Sequence, residues 1–267
     1  MPTDLATGHA LYRRTVNFVR SLRSTKDRDN LTENTMCGRY SMYQAMEVYL
    51  RELAPPQQVI SYVDAQPLAR YNIAPTQRSM VLQGSEHGLL IDSVKWGWAP
   101  FWAQGKRPAP INARVETVAT GKFFKQLWPN GRVLVPANGW YEWVKDAHDP
   151  KKKQPWFIHL KDEKPMFFAA LAQVTPGLEP GEGDGFVIIT DASNEGMVDI
   201  HDRRPVVLAP EQAQEWLAPD LSAQRSIEIA QHEGRPVSDF QWYPVSKAVG
   251  NVRNQGAELI SPLDESA

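Results

Sequence analysis

The only cysteine of the 267-residue chain, Cys37, stands directly behind a methionine in Met36-Cys37-Gly38-Arg39-Tyr40. If translation starts at Met36, or the preceding residues are otherwise removed, Cys37 becomes the first residue. It then carries an α-amine and a thiol on adjacent carbons, a pair that captures aldehydes. The amine condenses to an imine, and the thiol closes on the imine carbon to give a five-membered thiazolidine that hydrolyses far more slowly. An α-amine titrates at about 7.7–8.0 and is partly neutral at pH 7, whereas a thiol, at about 8.5, is less ready. Taken alone, a single cysteine also reads as a small buried hydrophobe.

Three further stretches carry residues suited to such chemistry. Trp140-Tyr141-Glu142-Trp143 sets a carboxylate among aromatics, and strand alternation puts Trp140 and Glu142 on one face. Burial there raises a carboxyl pKa toward neutrality, which suits a proton shuttle; a structural salt bridge is the alternative. Asp199-Ile200-His201-Asp202-Arg203-Arg204-Pro205 crowds an imidazole with two acids and two guanidiniums, so His201 is either an acid–base group or a buried structural histidine. In Asn112-Ala113-Arg114-Val115-Glu116-Thr117 an amide and a guanidinium two residues apart share a face of an extended backbone. Asn112 can orient an amine or hydroxyl and Arg114 can grip a phosphate; an Asn cap on a helix with a surface Arg is the other reading. Trp96, Trp98 and Trp102 can stack on unpaired bases, although core packing is the better account of two of the three.

Composition bounds the frame that must hold these groups. With 42% hydrophobic residues the chain can bury a full core as one large domain or two small ones. One cysteine excludes an internal disulfide framework and fits a reducing compartment. The six histidines lack zinc-site spacings, so neither metal nor other cofactor is expected. No apolar run approaches the roughly 18 residues of a membrane span, and a soluble, cytoplasmic protein is expected. Net charge is −2 but uneven: residues 1–132 hold 17 Lys/Arg against 10 Asp/Glu, and residues 133–267 hold 12 against 21. Between Lys95 and Arg132 seven basic residues face a single acid, Glu116, which makes that stretch a candidate phosphate-facing surface or an ordinary solvated face.

Residues 1–35 are polar, with arginines at 13, 14, 20 and 23 and a thin apolar stripe at Leu11, Val16, Val19 and Leu22. They read as a leader that is disordered or lies ahead of the true start, with a targeting segment as the alternative. From Cys37 the pattern predicts a strand at Gly38–Met42, a helix at Gln44–Leu53 ended by Pro55-Pro56, a long polar loop, and strands at Ser79–Gln83 and Leu89–Trp98. A helix is expected within Asn112–Leu127, with Phe123, Phe124 and Leu127 inward. Strands follow at Arg132–Pro136, Gly139–Lys145, Pro155–Leu160, Met166–Val174 and Gly185–Asp191, then helices at Pro210–Leu217 and Leu221–His232 and a strand near Phe240–Tyr243. Strands dominate without a βαβ rhythm. The expectation is one α+β domain over residues 36–262, an antiparallel, barrel-like sheet core flanked by helices, with a tail at 263–267.

In combination, Met36–Tyr40, Arg70-Tyr71-Asn72-Ile73-Ala74-Pro75, Trp96-Gly97-Trp98-Ala99-Pro100, Asn112–Thr117, Gly139–Trp143, Ile200–Arg203 and Pro244-Val245-Ser246 through Asn251 resemble the SOS-response-associated peptidase (SRAP) family. The likeness runs from Cys37 to about Pro262. It implies a monomeric protein that caps abasic sites in single-stranded DNA covalently through an N-terminal cysteine, is nucleoid-associated when bound to DNA, and serves the DNA-damage response. Matched by motif position, Cys37 is the nucleophile, Asn112 holds its amine, Glu142 assists proton transfer, and His201 helps open the deoxyribose and reverse the link. Arg39, Arg114 and Arg203 match phosphate-binding positions, and Lys122 matches one more weakly. Pro75 and Trp102 match residues that wedge or stack against separated strands. The family name further implies peptidase activity, including self-removal of residues ahead of the cysteine.

Elementary chemistry runs the same way. An abasic site is a hemiacetal with a small open-chain aldehyde fraction, which an acid such as His201 would enlarge; the later proton transfers call for a group such as Glu142. Without ring closure the imine promotes β-elimination, so lyase activity is an expected side reaction. With residues 1–36 attached, however, Cys37 has an amide in place of an amine. Two other classes therefore stay open: a cysteine peptidase or hydrolase built on Cys37 and His201, and a non-covalent single-stranded DNA-binding module.

Overall fold

A computed structural model describes residues 37–56, 58–61, 68–106, 108–146, 149, 151–175, 181 and 183–263. The expected leader at 1–35, with its apolar stripe, and residues 264–267 of the expected tail lie outside the described residues.

The chain enters at β1 (Tyr40–Met42) and passes through α1 (Met46–Leu53), β2 (Val59–Ser61), β3 (Arg70–Ile73), β4 (Arg78–Ser85) and β5 (Gly88–Lys95) to β6 (Asn112–Arg114). It continues through β7 (Arg132–Ala137), β8 (Gly139–Lys145), β9 (Lys153–Leu160), β10 (Met166–Gln173) and β11 (Gly185–Ala192). The last elements are β12 (Arg203–Pro205), β13 (Val207–Leu208), α2 (Pro210–Trp216), α3 (Ala223–His232) and β14 (Phe240–Pro244).

Two sheets result, one of five strands ordered β14-β9-β8-β1-β3 and one of nine whose main path is β12-β11-β10-β7-β4-β5-β2. In the second, β13 also pairs with β10, and β6 runs parallel to β11. The Met166–Ala172 stretch of β10 is buried throughout, as an unbroken Met-Phe-Phe-Ala-Ala-Leu-Ala run requires of a central strand covered on both faces. β7 is buried along its whole length. At Asn138–Gly139 the chain leaves β7 of one sheet and enters β8 of the other. A Cβ on Gly139 would lie 2.3 Å from the Phe157 ring and 2.7 Å from the Ile158 carbonyl oxygen, so this corner closes only on glycine.

The α+β class agrees with the sequence reading; the barrel-like closure does not. Among the described residues the outer strands β3 and β14 do not pair with each other, and neither do β2 and β12, so both sheets stay open. The corner at Gly139 stacks one sheet against the other where a barrel would continue a single ladder. Two pairs, β2/β5 and β6/β11, are parallel.

The helix expected within Asn112–Leu127 is replaced by β6 and a succession of turns. Residues Asn112–Arg114 pair with Ile188–Thr190 of β11. The Val115 N–H then reaches the Thr190 carbonyl oxygen at 2.9 Å, which holds the segment extended. Beyond it, Thr117, Val118 and Thr120 disfavour a helix, and Gly121 bends back to the Thr117 carbonyl at 2.7 Å. Leu127 is buried as expected, while Phe123 and Phe124 are half-buried against Trp98.

The other three helices end close to their expected limits. α3 starts after Ser222, whose hydroxyl accepts from the Arg225 N–H at 3.1 Å. α1 ends at Ala54 in the left-handed region, where Gln214 of α2 donates to the Leu53 and Ala54 carbonyls at 2.7 and 3.1 Å. No helix among the described residues is long and apolar enough to cross a membrane.

Candidate functional site

Cys37 leads into β1 of the five-stranded sheet and is a fully buried free thiol. β8 lies beside β1 in register Tyr40↔Trp140, which carries Glu142 to the same end of the strand pair. From the nine-stranded sheet, β6 brings Asn112, whose Nδ2 donates to the Cys37 carbonyl oxygen at 3.3 Å. Three chain segments, centred on residues 37, 112 and 142, therefore converge at one place.

Glu142 is 2% exposed, and burial pushes its carboxyl well above the usual carboxylate range; the Asp202 charge adds to this, and a hydrogen bond from the Cys37 backbone nitrogen opposes it. Among the described residues its Oε1 has no hydrogen-bond partner. The Cys37 thiol is likewise pushed up, first by burial and then by Glu142, with a backbone hydrogen bond from Arg39 pulling the other way. Burial therefore disfavours ionisation of both groups, and the Glu142 charge further opposes that of the thiol.

His201 joins through Asp202, the residue whose charge acts on Glu142. The imidazole is buried, with Nδ1 3.2 Å from Asp202 Oδ1 and accepting the Arg203 backbone N–H at 3.0 Å. A hydrogen bond from its own backbone N–H to the Met197 carbonyl at 3.1 Å ties it to the short helical turn Glu195–Asp199. The ring is thus oriented by local backbone, as a group that moves protons at a fixed place must be.

The three candidate phosphate arginines have different surroundings. Arg114, on β6, is exposed. Arg39 is half-buried, donates from Nη1 to Asn72 Oδ1 and the Val249 carbonyl, each at 2.8 Å, and lies 5.5 Å over the Trp143 ring. Arg203 is buried and engaged by both carboxylate oxygens of Glu116.

Lys122 is exposed, with Nζ 5.1 Å from the Trp102 ring centroid. Trp102 lies on the turn Phe101–Ala103, 45% exposed, whereas Trp96 and Trp98 are buried in the core, which is the two-of-three division expected. Its neighbour Phe101 is 89% exposed. Pro75 sits half-buried in the turn between β3 and β4.

Sequence reasoning assigned no part to Asn72, which knits this site to the end of the chain. It is fully buried; its Oδ1 accepts from Arg39, and its Nδ2 lies 3.0–3.1 Å from the carbonyls of Val249, Asn251 and Asn254. Gln255 completes the lock by exchanging side-chain hydrogen bonds with the Asn72 backbone at 3.2 and 2.9 Å. The sequence reads as a long polar loop up to this point, where an asparagine is ordinary; only its burial in β3 shows that the amide must find partners.

Among the described residues no cluster of three or more His, Cys, Asp or Glu side chains could hold a metal. What the geometry offers is a nitrogen and a sulfur of one residue beside a buried carboxyl whose pKa is raised, with an oriented imidazole linked through Asp202.

The model of the family described as SOS response associated peptidase (SRAP) matches residues 36–252. The abasic site processing protein YedK of Escherichia coli K12 is 46% identical over 228 residues, covering 85% of this chain and all of the relative. The abasic site processing protein YoaM of Bacillus subtilis is 31% identical, covering 84% of this chain and 97% of the relative. A solved structure of a phage-related protein of Bordetella bronchiseptica superposes with TM-score 0.67 at 39% identity, covering 79% of this chain and 95% of that one. A match across the whole stretch that holds Cys37, Asn112, Glu142 and His201 leads to one conclusion: the chain belongs to the SOS response associated peptidase family.

Proposed function

We propose that the protein captures the aldehyde of an abasic site in single-stranded DNA as a thiazolidine on Cys37, once the residues ahead of Cys37 have been removed. The observation that carries this reading is the convergence on Cys37 of Asn112, which donates to its carbonyl at 3.3 Å, and of the buried Glu142 carboxyl, which acts on its backbone nitrogen and its thiol. On a chain that begins at Cys37 the same nitrogen is the α-amine, and an acid of raised pKa already touches it. The names of the relatives, abasic site processing proteins, supply the substrate class.

The steps balance within these residues. His201 gives a proton to the ring oxygen of the sugar as the C1–O bond breaks, and the anomeric hydroxyl returns its own proton to the imidazole as it becomes the aldehyde carbonyl. The neutral amine adds to the aldehyde carbon, and the Glu142 carboxyl protonates the resulting hydroxyl, which leaves as water from a protonated imine. The Cys37 sulfur then adds to the imine carbon, and its proton returns to the Glu142 carboxylate. Asn112 holds the Cys37 carbonyl, and so the nucleophile, in place during these steps. Arg39, Arg114 and Arg203 take backbone phosphates, with Lys122 beside them, and Trp102 and Pro75 stack or wedge against the bases. The protein acts as a monomer in the cytoplasm, within the DNA-damage response. Its peptidase activity is confined to exposing Cys37 and does not use a Cys37–His201 ion pair, and β-elimination at an unclosed imine gives it weak lyase activity.

A cysteine hydrolase needs a thiol whose pKa is lowered, and Cys37 moves the opposite way. That favours aldehyde capture over peptide-bond hydrolysis by a Cys37–His201 ion pair.

The test uses a labelled single-stranded oligonucleotide with one abasic site, run on a denaturing gel after heating. The Cys37-first protein is expected to give a stoichiometric heat-stable adduct, and Cys37→Ala none, with non-covalent affinity near that of the unsubstituted protein. Cys37→Ser keeps the amine and should give only an imine that borohydride traps. An adduct that persists in Cys37→Ala overturns the reading.

A further inference from the structure

Glu116 is the single acid between Lys95 and Arg132, and it is spent on one of the arginines assigned above to phosphate. Its Oε1 lies on Arg203 Nη1 and its Oε2 is 2.9 Å from Nη2, while Nη2 also donates to the Thr190 carbonyl at 2.6 Å. The two partners are unequal. The Arg203 side chain is 9% exposed and held from within by β11, whereas the Glu116 side chain is 52% exposed and approaches from the solvent side on the turn after β6. Arg114, two residues away, adds its charge: both arginines hold the Glu116 carboxyl below the usual range, Arg203 most strongly through its hydrogen bonds. A carboxylate gripping a guanidinium with two oxygens repeats the geometry with which two phosphate oxygens would grip it.

We infer that Glu116 is a built-in competitor for the DNA phosphate: its carboxylate occupies Arg203 in the DNA-free protein and swings off when a backbone phosphate takes the guanidinium. The inference rests on the reading of Arg203 as a phosphate contact. The exchange has a physical purpose at each stage. Without DNA, the buried guanidinium keeps a counter-charge it could not do without. With DNA, the half-exposed carboxylate gives up a contact it makes at the surface, on a turn outside both sheets, and moves into water. A phosphate that arrives alone competes poorly with a tethered carboxylate, whereas one delivered by a strand already held elsewhere displaces it. Glu116 thereby penalises weak, non-specific contacts, a repulsive element that sharpens selection.

Counterions make the exchange measurable. A phosphate neutralised on single-stranded DNA steepens the salt dependence of binding by about 0.7 in the log–log slope. An arginine that arrives already neutralised by Glu116 leaves the net charge of the site unchanged, so its contact contributes little to that slope. Glu116→Gln restores the missing contribution.

The experiment measures affinity of the full chain for an intact single-stranded oligonucleotide, without an abasic site, by fluorescence anisotropy across a salt series. The proteins compared are the unsubstituted one, Glu116→Gln, Arg203→Gln and the double variant, each checked by a thermal melt. Glu116→Gln is expected to bind about three- to tenfold tighter at low salt, with a slope steeper by up to about 0.7. In the Arg203→Gln background the same substitution should gain less than twofold. Should Glu116→Gln lose its cooperative melt, Glu116→Asp, with the charge on a shorter arm, replaces it and should show a smaller gain of the same sign. Equal or weaker binding by the folded variant overturns the inference, as does a gain that persists undiminished without Arg203, since that is charge acting through space. If the unsubstituted protein still captures abasic DNA in either case, the proposed function stands and only the role of Glu116 falls. Failure of every form to bind single-stranded DNA would overturn both.

Discussion

Arg39 and Asn72 are joined by a 2.8 Å hydrogen bond from guanidinium Nη1 to amide Oδ1, and through Asn72 the arginine two residues beyond Cys37 is fastened to residues 249–255 at the other end of the domain. The β3 strand that carries Asn72 is the edge of its sheet, so this amide does for the C-terminal segment what a further strand would otherwise do.

Asn72→Ala is expected to deprive the Asn254 carbonyl of its Asn72 donor and one guanidinium N–H of its acceptor, while the Val249 and Asn251 carbonyls keep Arg39 and the Asn254 N–H, a cost of about 1–3 kcal/mol. For a domain of this size that lowers the melting temperature by about 2–10 °C. Asn72→Asp should be no better, because it keeps the acceptor for Arg39 but turns a carboxylate toward carbonyl oxygens. A thermal melt of the three proteins checks this; a near-native melt for Asn72→Asp would show that the carbonyl contacts carry little.

Glu142→Gln separates the proton chemistry from the fold. Because burial raises the carboxyl pKa in the folded state, the folded protein holds the proton more tightly than the unfolded chain does, so the stability this confers is fully present below about pH 4.3 and is lost as pH rises through the folded value. Relative to Glu142→Gln, the unsubstituted protein should lose stability steadily from acid toward neutral and mildly alkaline pH. Melting temperatures of both proteins between about pH 5 and about pH 8, short of the range where an unfolded thiol ionises, check the sign; parallel curves would contradict the raised value. The same substitution is expected to slow adduct formation at least about tenfold, since positioned acid–base groups contribute roughly 10²–10⁴-fold.

A chain that retains residues 1–36 has an amide at Cys37 and can offer an aldehyde only the thiol. The product is a hemithioacetal that denaturation releases. Purified protein verified by mass to begin at Met1 is therefore expected to give no heat-stable adduct, and protein that begins at Cys37 to give one. Equal rates for the two forms would refute the aminothiol mechanism.

Much of the secondary structure was legible because strands with unbroken apolar runs need no knowledge of their partners. Leu134 and Val135 in β7, Phe167–Leu171 in β10 and Phe186–Ile189 in β11 are buried whichever neighbour they pair with. The segment after Asn112 was not legible in this way. Its local residues allowed a helix, and the pairing with Ile188–Thr190, more than 70 residues on, made it a strand; a parallel ladder leaves no mark on the shorter of its two sequences. Closure of the sheets was invisible for a related reason: period-two alternation tells which face is buried and says nothing about whether the last strand meets the first.

At the site, the residue types alone singled out the candidates. One cysteine behind a methionine, a glutamate among aromatics and a histidine among charges are readable because each is costly or reactive wherever it lies. What tertiary structure alone decided is which of them touch. Burial raised the Glu142 and Cys37 pKa values together, an amide from the other sheet took hold of the Cys37 carbonyl, and Glu116 claimed Arg203 across 87 residues. Desolvation and charge pairing depend on distance through space, and distance along the chain does not encode it.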